Sequence, residues 1–342
     1  MRGSDGTEQI SYVFLLVEDF SLIAFASAIE PLRLANRGAG KELYDWKLIS
    51  ETGEAVRSSC GARIDVAGGL DDVVRAARIV IVSGLHAHRA ATKPVLTWLR
   101  KQSRLGSPMG ALCTGALILA KAGLLDERRC TIHWENQAAF SEEFLDIELT
   151  NRLFEIDGNR FTCAGGIAAT DMMLTLIARD VDPGIVSLIS DQIVHTPLRG
   201  EREEQRLSVP ARIGVRHPKL VSIIQMMEQN LEEPISPSIL AQHAQMSTRQ
   251  LERLFRRYLD RSPKRYYMEL RLQKARNLLL QTEMSVINVA LASGFTSPSH
   301  FSKCYRSYFN RTPYRERGAP PVSAQDMAVA ASLLDQETIK PV

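Results

Sequence analysis

The stretch SILAQHAQMSTRQLERLF, residues 238–255, has the pattern of a short apolar helix, a tight turn and a second, two-faced helix. The pattern returns about 50 residues later in VINVALASGFTSPSHFSKCY, residues 286–305. Two helix-turn-helix units joined by a helix place two recognition helices in successive major grooves on one face of DNA. The repeat therefore predicts a sequence-specific DNA-binding protein.

Capping residues mark where these helices begin. Ser236-Pro237 and Ser297-Pro298 each put an N-cap before a proline, and Ser247 stands three residues before Gln250, as in a capping box. Between the two units, residues 263–282 have helical spacing. That spacing predicts a connecting helix of about 18 residues, roughly 27 Å long.

Each predicted recognition helix has an apolar stripe and a polar face. The stripes are Leu251, Leu254, Phe255 and Tyr258 in the first unit, and Phe301, Tyr305 and Tyr308 in the second. The outward-facing side chains are Arg249, Glu252, Arg253, Arg256 and Arg257, then Ser299, His300, Lys303 and Arg306. For any one of these residues taken alone, simple exposure to solvent on the helix surface is as good an explanation as contact with DNA.

The charge is divided between the two halves of the chain. Residues 212–317 hold 18 Lys and Arg against 8 Asp and Glu, whereas residues 1–211 hold 23 against 28. A basic region attracts phosphates and gives salt-dependent affinity for nucleic acid. The alternative is a basic surface without a partner, which the two helix-turn-helix patterns disfavour.

Length and composition indicate a cytoplasmic protein of two domains. The chain has 342 residues with 45% hydrophobic content, no apolar run of about 18 residues and no apolar signal core at its start. Five cysteines without metal-ligand spacing predict reduced thiols, and neither a metal nor a cofactor is expected.

Residues 10–195 alternate between strand and helix patterns. The predicted strands are 10–17, 44–50, 77–84, 109–113 and 160–164, and the predicted helices are 20–36, 93–102, 114–123 and 168–179. Alternation of this kind predicts a doubly wound parallel sheet, which binds small molecules beyond the carboxyl ends of its strands. We expect a first domain at 8–196, a linker at 197–216, an all-helical domain at 217–318, and a disordered or loosely helical tail at 319–342.

Cys113 stands between a predicted strand and a predicted helix, in MGALCTGA, residues 109–116. On such a turn the amides at the helix N-terminus would lower the thiol pKa, and His133, twenty residues on, would serve as a base. The alternative is a small buried residue, which is the commoner role of a cysteine before a helix.

The C-terminal region, residues 217–317, resembles the AraC/XylS family of transcriptional regulators. The residues that carry the resemblance are Ser262-Pro263, Tyr267, Arg271-Leu272, Ala275-Arg276, Leu278-Leu279, Ala290, Gly294-Phe295, Ser299-His300-Phe301 and Thr312-Pro313. The resemblance implies a helical domain that binds double-stranded DNA through two units. It also implies a homodimer that contacts RNA polymerase and usually activates transcription.

Position within the resemblance assigns the contacts to DNA. Arg249 and Arg253, and Ser299 and Lys303, are the expected base readers. The expected phosphate contacts are Lys264, Arg256 and Arg306. Gln250, Glu252 and His300 complete the predicted DNA-binding set.

Residues 10–195 resemble the class I glutamine amidotransferase-like, or PfpI-type, domain that is fused to AraC regions in GlxA-type regulators. The residues that carry it are Pro31 to Asn36, Gly110 to Gly115, Leu119-Ala120, Ala122 to Leu125, Thr131 to Trp134, and Cys163 to Asp171. The resemblance implies a flavodoxin-like sheet with Cys113 at a nucleophile elbow and His133 nearby. Ser21 stands where the hydrolytic members hold a carboxylate, and Glu18 and Asp19 are shifted away from that position.

The resemblance therefore implies a receptor rather than an enzyme, with no catalytic residues. The open alternatives are a DNA-tethered thiol hydrolase and an architectural DNA-binding protein without a sensor. Asp191-Gln192, His195 and Gln205-Arg206 resemble a subgroup that regulates the use of arginine, glycine betaine or carnitine. An amino-acid-like inducer is the expected ligand.

The expected ligand site surrounds the elbow. Trp134 offers a face for a quaternary ammonium group, Glu135 a charge for a cation, and the amides of Cys113-Thr114 a place for a carboxylate. For Trp134, a role as an aromatic residue of the core or of an interface is as good an explanation as ligand binding. The predicted ligand-binding residues are Ser83, Gly84, Cys113, Thr114, His133, Trp134 and Glu135.

Overall fold

A computed structural model describes residues 9–72, 77–195, 199–200, 203–205, 209, 213–215 and 217–318. The chain divides into two units, residues 1–214 and 215–342. The predicted tail at 319–342 and most of the predicted linker at 197–216 lie outside the described residues.

The first unit is built on a mostly parallel sheet. Its strands are β1 (Ile10–Leu16), β2 (Tyr44–Ile49), β5 (Arg78–Val82), β6 (Met109–Leu112), β9 (Phe154–Asp157) and β10 (Arg160–Cys163). Two further small sheets are each formed by a pair of strands: β3 (Val56–Arg57) pairs with β4 (Arg63–Ile64), and β7 (Arg129–Thr131) pairs with β8 (Glu148–Thr150). The order across the sheet is β2-β1-β5-β6-β10-β9, and only the β10–β9 pair is antiparallel. The five parallel strands thus have the flavodoxin-like order, which confirms the predicted fold.

The sheet has a core on each face because side chains alternate along its strands. Phe14 and Leu16 of β1 belong to one core, and Val13 and Leu15 belong to the other. Helices α1 (Leu22–Ala39), α6 (Ala168–Asp180) and α7 (Pro183–Gln192) cover the first face, and α3 (Lys93–Arg104) and α4 (Gly115–Lys121) cover the second. Two shorter helices, α2 (Ala87–Ala90) and α5 (Gln137–Glu143), lie in the connections.

The predicted strands and helices of the first unit are all present, with bounds that differ by a few residues. Sequence patterns did not reveal α7, the small pair β7–β8, or strand β9. Strand β9 pairs with β10 through a tight turn in which Gly158 has φ +60°. It lies at the edge of the sheet, so a fully parallel sheet was not the correct expectation there.

The second unit is helical throughout its described residues. Its helices are α8 (Pro218–Gln229), α9 (Pro237–His243), α10 (Thr248–Leu259), α11 (Pro263–Gln281), α12 (Val286–Ala292), α13 (Pro298–Phe309) and α14 (Pro313–Gly318). The predicted caps are confirmed: Ser236 and Ser297 accept backbone N–H bonds, and Ser247 with Gln250 forms a capping box.

Four of the seven predicted stripe residues are fully buried, and Leu254 and Tyr258 are half-buried. Leu251, Phe255, Phe301 and Tyr305 are fully buried. Tyr308 is 37% exposed, and the expectation that it lies in the stripe is wrong. Phe309 packs there instead, with its ring centroid 4.6 Å from that of Tyr305, because one further residue turns the side chain back toward the core.

Arg271 holds the turn between α12 and α13. Its guanidinium donates to the carbonyl oxygens of Ser293 at 2.9 Å and Gly294 at 2.6 Å, and it stacks over Phe295 with 4.2 Å to the ring centroid. Gly294 has φ +77°, and a Cβ there would lie 2.4 Å from the carbonyl oxygen of Leu231. Only glycine meets both requirements of this turn.

Among the described helices, none is long and apolar enough to cross a membrane.

Candidate functional site

The predicted DNA-contact side chains lie on the outer faces of the second unit. Of these ten residues, Glu252 is half-buried and the other nine are exposed: Arg249, Gln250, Arg253, Arg256, Lys264, Ser299, His300, Lys303 and Arg306. Gln250 Oε1 accepts the amide of Ser247 at 2.7 Å, so this side chain helps to begin α10. His300 Nε2 lies 3.4 Å from Cys304 Sγ one turn along α13.

The arginines of the second unit fall into two groups. Within the described residues, the guanidinium groups of Arg249, Arg253 and Arg256 have no hydrogen-bond or ion-pair partner. Other arginines are engaged within the fold. Arg265 Nε lies 3.1 Å from Glu269, Arg261 pairs with the same carboxylate, Arg276 Nε lies 2.9 Å from Glu316, and Arg271 holds a turn. Arg249, Arg253 and Arg256 belong to the predicted DNA-binding set, but the guanidinium groups of Arg257, Arg311 and Arg315 also have no hydrogen-bond or ion-pair partner within the described residues.

In the first unit, Cys113 occupies a sharp turn between β6 and α4. Its φ is +60°, a left-handed conformation that costs a non-glycine residue about 1–2 kcal/mol. Gly165 makes room for it, since a Cβ at Gly165 would lie 2.6 Å from the Cys113 Cβ. Gly115 lets α4 approach β5, since a Cβ there would lie 2.7 Å from the Ile81 carbonyl oxygen. This geometry is that of a nucleophile elbow.

The structure brings together the predicted ligand-site residues around this elbow. Thr114 Oγ1 donates to the carbonyl oxygen of Gly84 at 2.6 Å and lies 3.0 Å from Ser83 Oγ. The amide of His133 donates to the carbonyl oxygen of Cys113 at 3.2 Å. Ser83 and Thr114 are buried and hold β5 and α4 together.

Trp134 and Glu135 follow His133 at the rim. The Trp134 side chain is 37% exposed, and its ring centroid lies 5.7 Å from that of His133. The amide of Glu135 donates to His133 Nδ1 at 3.4 Å. Trp134 and Glu135 are both exposed, and their predicted role in ligand binding stays a prediction.

The predicted low pKa of the thiol is wrong. Burial raises the pKa of Cys113 to about 12, and its coupling to the neighbouring Cys163 thiol and to the Glu135 carboxylate adds to that effect against one backbone hydrogen bond. Burial also lowers the pKa of His133, against the opposing effect of Glu135. At neutral pH the thiol is therefore protonated and the imidazole is neutral, so the two groups do not form an ion pair.

The carboxylates after β1 are paired elsewhere. Asp19 Oδ1 lies 3.3 Å and Glu18 Oε1 lies 3.5 Å from the Arg57 guanidinium. Ser21 caps α1 by accepting the Ala24 amide at 3.4 Å. These side chains serve the turn after β1 rather than the thiol.

A cleft of about 470 Å³, which was not predicted, is lined by residues that follow β1, β2 and β5. Residues Glu18, Asp19, Glu51, His86 and Arg89 are among those that line it. The predicted sheet contained a usable signal, because ligand crevices in doubly wound folds form where the strand order reverses. Here that place lies between β1 and β5.

Asp19, His86 and Cys113 follow β1, β5 and β6, and all three have φ between 56° and 60°. Left-handed non-glycine residues concentrate at functional sites. Three of the five left-handed non-glycine residues described in the first unit therefore lie at the carboxyl edge of the sheet.

The fold thus combines a flavodoxin-like unit that carries an elbow cysteine with a helical unit that exposes arginines on α10, as expected for a DNA-binding protein with a second domain. Two family models match this division. The DJ-1/PfpI family matches residues 11–179, and a helix-turn-helix domain matches residues 240–319.

Relatives match over most of the chain. The HTH-type transcriptional regulator GbdR of Pseudomonas aeruginosa is 46% identical over 309 residues, which are 90% of this chain and 84% of the relative. The regulator CdhR of the same organism is 44% identical over 91% of this chain and 92% of its own length. The chain therefore belongs to the AraC-type transcriptional regulators with an N-terminal DJ-1/PfpI domain, and these relatives are named as regulators, not as enzymes.

A solved structure matches the first unit in fold. A ThiJ/PfpI family protein from Pseudomonas syringae covers 65% of this chain and 88% of its own, with a TM-score of 0.50 and 18% identity.

Proposed function

We propose that this protein is a one-component transcription regulator that reads DNA with two helix-turn-helix units, α9–α10 and α12–α13. The observation that carries the proposal is the division of the arginines. Arg249, Arg253 and Arg256 have no partner within the described residues, whereas Arg271 and Arg276 are held inside the fold. Unpaired guanidinium groups on the exposed face of a capped helix suit the guanine edge and the phosphate backbone.

The contacts divide by position on each helix. Arg249 and Arg253 of α10, with Ser299 and Lys303 of α13, read base edges, and Arg256, Lys264 and Arg306 hold phosphates. All seven side chains are exposed in the structure. Phosphate contacts add affinity for every sequence, whereas base contacts separate one sequence from another.

The first unit is the sensor in this proposal. Its ligand lies at the elbow, against Trp134 and Glu135, and its carboxylate faces the amides at the start of α4. The exposed indole face suits a quaternary ammonium group, and the Glu135 carboxylate suits a cation. The ligand is an amino-acid-like or betaine-like zwitterion. A protonated thiol beside a neutral imidazole favours binding over turnover.

The remaining assignments are part of the same proposal. The sensor spans residues 8–196, the linker 197–216 and the DNA-binding domain 217–318. The protein works in the cytoplasm as a homodimer, and it activates transcription through RNA polymerase when the inducer is bound.

Two assays test the proposal. Duplexes selected from a random pool by the full chain should yield one motif with two half-sites, and gel shifts should then separate that motif from shuffled DNA. A melting-temperature screen with arginine, glycine betaine and carnitine tests the ligand class, because a ligand that prefers the folded state raises the melting temperature. No enriched motif would refute the DNA-binding claim.

The position of the ligand has its own control. Trp134→Ala should abolish the thermal shift, and His86→Ala, in the cleft beside β1 and β2, should leave it unchanged. The reverse result would move the ligand to that cleft.

A further inference from the structure

A buried carboxylate anchors the chain just after α7. Asp171 of α6 is fully buried, and its Oδ2 accepts from Arg199 Nη2 at 2.7 Å and from Arg199 Nε at 3.1 Å. Its Oδ1 accepts the Arg199 amide at 3.0 Å and lies 2.8 Å from His195 Nε2. A buried charge is tolerable only when it is paired and hydrogen-bonded, so this anchor is costly to break.

A second, uncharged anchor lies six residues further along the chain. Gln205 Nε2 lies within 2.9 Å of three oxygen atoms: the hydroxyl of Thr131 and the carbonyls of Ile132 and Arg152. The backbone pairs there as well. The Leu153 amide donates to the Glu203 carbonyl at 2.8 Å, and the Gln205 amide donates to the Asn151 carbonyl at 3.0 Å. Each neutral hydrogen bond of this kind contributes less to stability than a hydrogen bond to a charged group.

The second anchor shares its backbone with the proposed ligand site. Gln205 bonds the carbonyl of Ile132, and the next residue, His133, donates its amide to Cys113. Trp134 follows directly. A displacement of residues 131–134 by a ligand therefore acts on the acceptors of Gln205.

We propose that described residues of the stretch after α7, His195, Arg199 and 203–205, form a docking segment that transmits the state of the ligand site to the DNA-binding domain, with Gln205 as the positioning residue. The inference rests on the proposed function. The Asp171 anchor stays fixed, whereas the Gln205 anchor is made or released according to the occupancy of the site. The docking segment precedes residues 217–318 along the chain, so a change in it can be passed on to the DNA-binding domain.

The docking segment also accounts for residues that a binding pocket does not explain. His195 and Gln205 belong to the sequence signature of the subgroup, yet both side chains bond within the first unit. Gln192, from the same signature, is exposed at the end of α7, and its side chain has no hydrogen-bond partner among the described residues. Gln192 therefore provides a matched control.

Hydrogen exchange on the full chain tests the coupling without any inducer. Coupling between two sites is reciprocal. If the state of the docking segment alters the affinity for DNA, then binding of DNA must also alter the state of the docking segment. We expect the selected duplex to change exchange at the Leu153 and Gln205 amides about fivefold or more, a coupling typical of allosteric proteins. Shuffled duplex and the amides of β1 should show no change.

Unchanged exchange at both amides, with the selected duplex bound, would overturn the inference and leave the DNA-binding claim intact. A chain that bound neither DNA nor any of the three zwitterions would remove the proposed function and this inference together.

Variants test the role of Gln205 in the response. A reporter carries the selected motif, and its response is the output with the stabilising zwitterion divided by the output without it. Gln205→Ala should reduce this response about tenfold. The rise in melting temperature that the ligand causes should persist in this variant. Gln192→Ala should respond as wild type. Arg199→Lys, which keeps the charge, should retain more of the response than Arg199→Ala. A folded Gln205→Ala variant with the full wild-type ratio would contradict the proposal.

Discussion

The amide nitrogen of His133 lies 3.2 Å from the carbonyl oxygen of Cys113. This bond ties the left-handed elbow after β6 to the loop that presents Trp134. In the proposed function, a ligand that touches the indole is therefore one backbone hydrogen bond away from the turn that holds the thiol. The contact uses backbone atoms only, so it does not require a reactive sulfur.

The thiol of Cys113 should be unreactive at neutral pH. Its pKa is raised to about 12 because burial disfavours the thiolate, so at pH 8 the nucleophilic form is scarce. Cys60 is the internal control: it is exposed, and a hydrogen bond from Ser58 lowers its pKa. With iodoacetamide at pH 8, peptide mass spectrometry should show Cys60 labelled first, and Cys113 labelling should rise only in strong alkali. Equal labelling rates at pH 8 would favour the thiol-enzyme alternative.

Replacing the sulfur should preserve regulation. Cys113→Ser keeps the size of the side chain, and the proposal assigns no covalent step to the sulfur. A reporter titrated with inducer should show a retained response with an altered midpoint. Loss of the response in a folded, DNA-competent variant, together with turnover by the wild type, would restore an enzymatic role.

The elbow should be sensitive to a single methyl group on its neighbour. Gly165→Ala places a Cβ 2.6 Å from the Cys113 Cβ at φ +88°, so we expect a loss of about 3 kcal/mol or more in the free energy of unfolding. Gly166→Ala has φ +57° and open space, and should lose only about 1–2 kcal/mol. Denaturant titration of both variants checks the difference. Equal losses would mean that the close approach to Cys113 is unimportant.

Base reading and phosphate binding should separate in two variants of the second unit. Arg253→Ala should cost about 1–3 kcal/mol at the selected motif and relax one of its positions. Lys264→Ala should weaken binding to all duplexes alike and flatten the salt dependence. Gel shifts on matched and mutated motifs at several salt concentrations measure both effects. Unchanged discrimination by Arg253→Ala would invalidate the assignment of α10 as a recognition helix.

Local patterns predicted the helices of the second unit well because their signals are short-range. The Ser247–Gln250 capping box and the Leu251–Phe255 spacing act within one or two turns, and the structure confirms both. Tyr308 departed from its pattern because the packing of neighbouring aromatic rings, which the spacing does not contain, selected Phe309.

The elbow was also predictable, but the electrostatics of Cys113 were not. The strand-turn-helix pattern placed the residue correctly, and Gly165 confirmed how tight the turn is. The thiol pKa depends on how deeply the sulfur is buried and on Cys163 and Glu135, which come from distant parts of the chain. The cleft likewise depends on the loops that follow β1, β2 and β5, which meet only in the folded sheet.

The central claim is that a sensor unit controls a separable DNA-reading unit, and one titration tests it most directly. The full chain and the fragment 212–318 are titrated onto the selected duplex, each with and without the zwitterion that stabilises the wild type. The fragment has the recognition helices but no ligand site, and it lacks the dimer contacts proposed for the sensor. We therefore predict that it binds the same motif about 10- to 10⁴-fold more weakly and ignores the ligand, while the affinity of the full chain changes. A fragment that responded to the ligand, or that had no preference for the motif, would contradict the account.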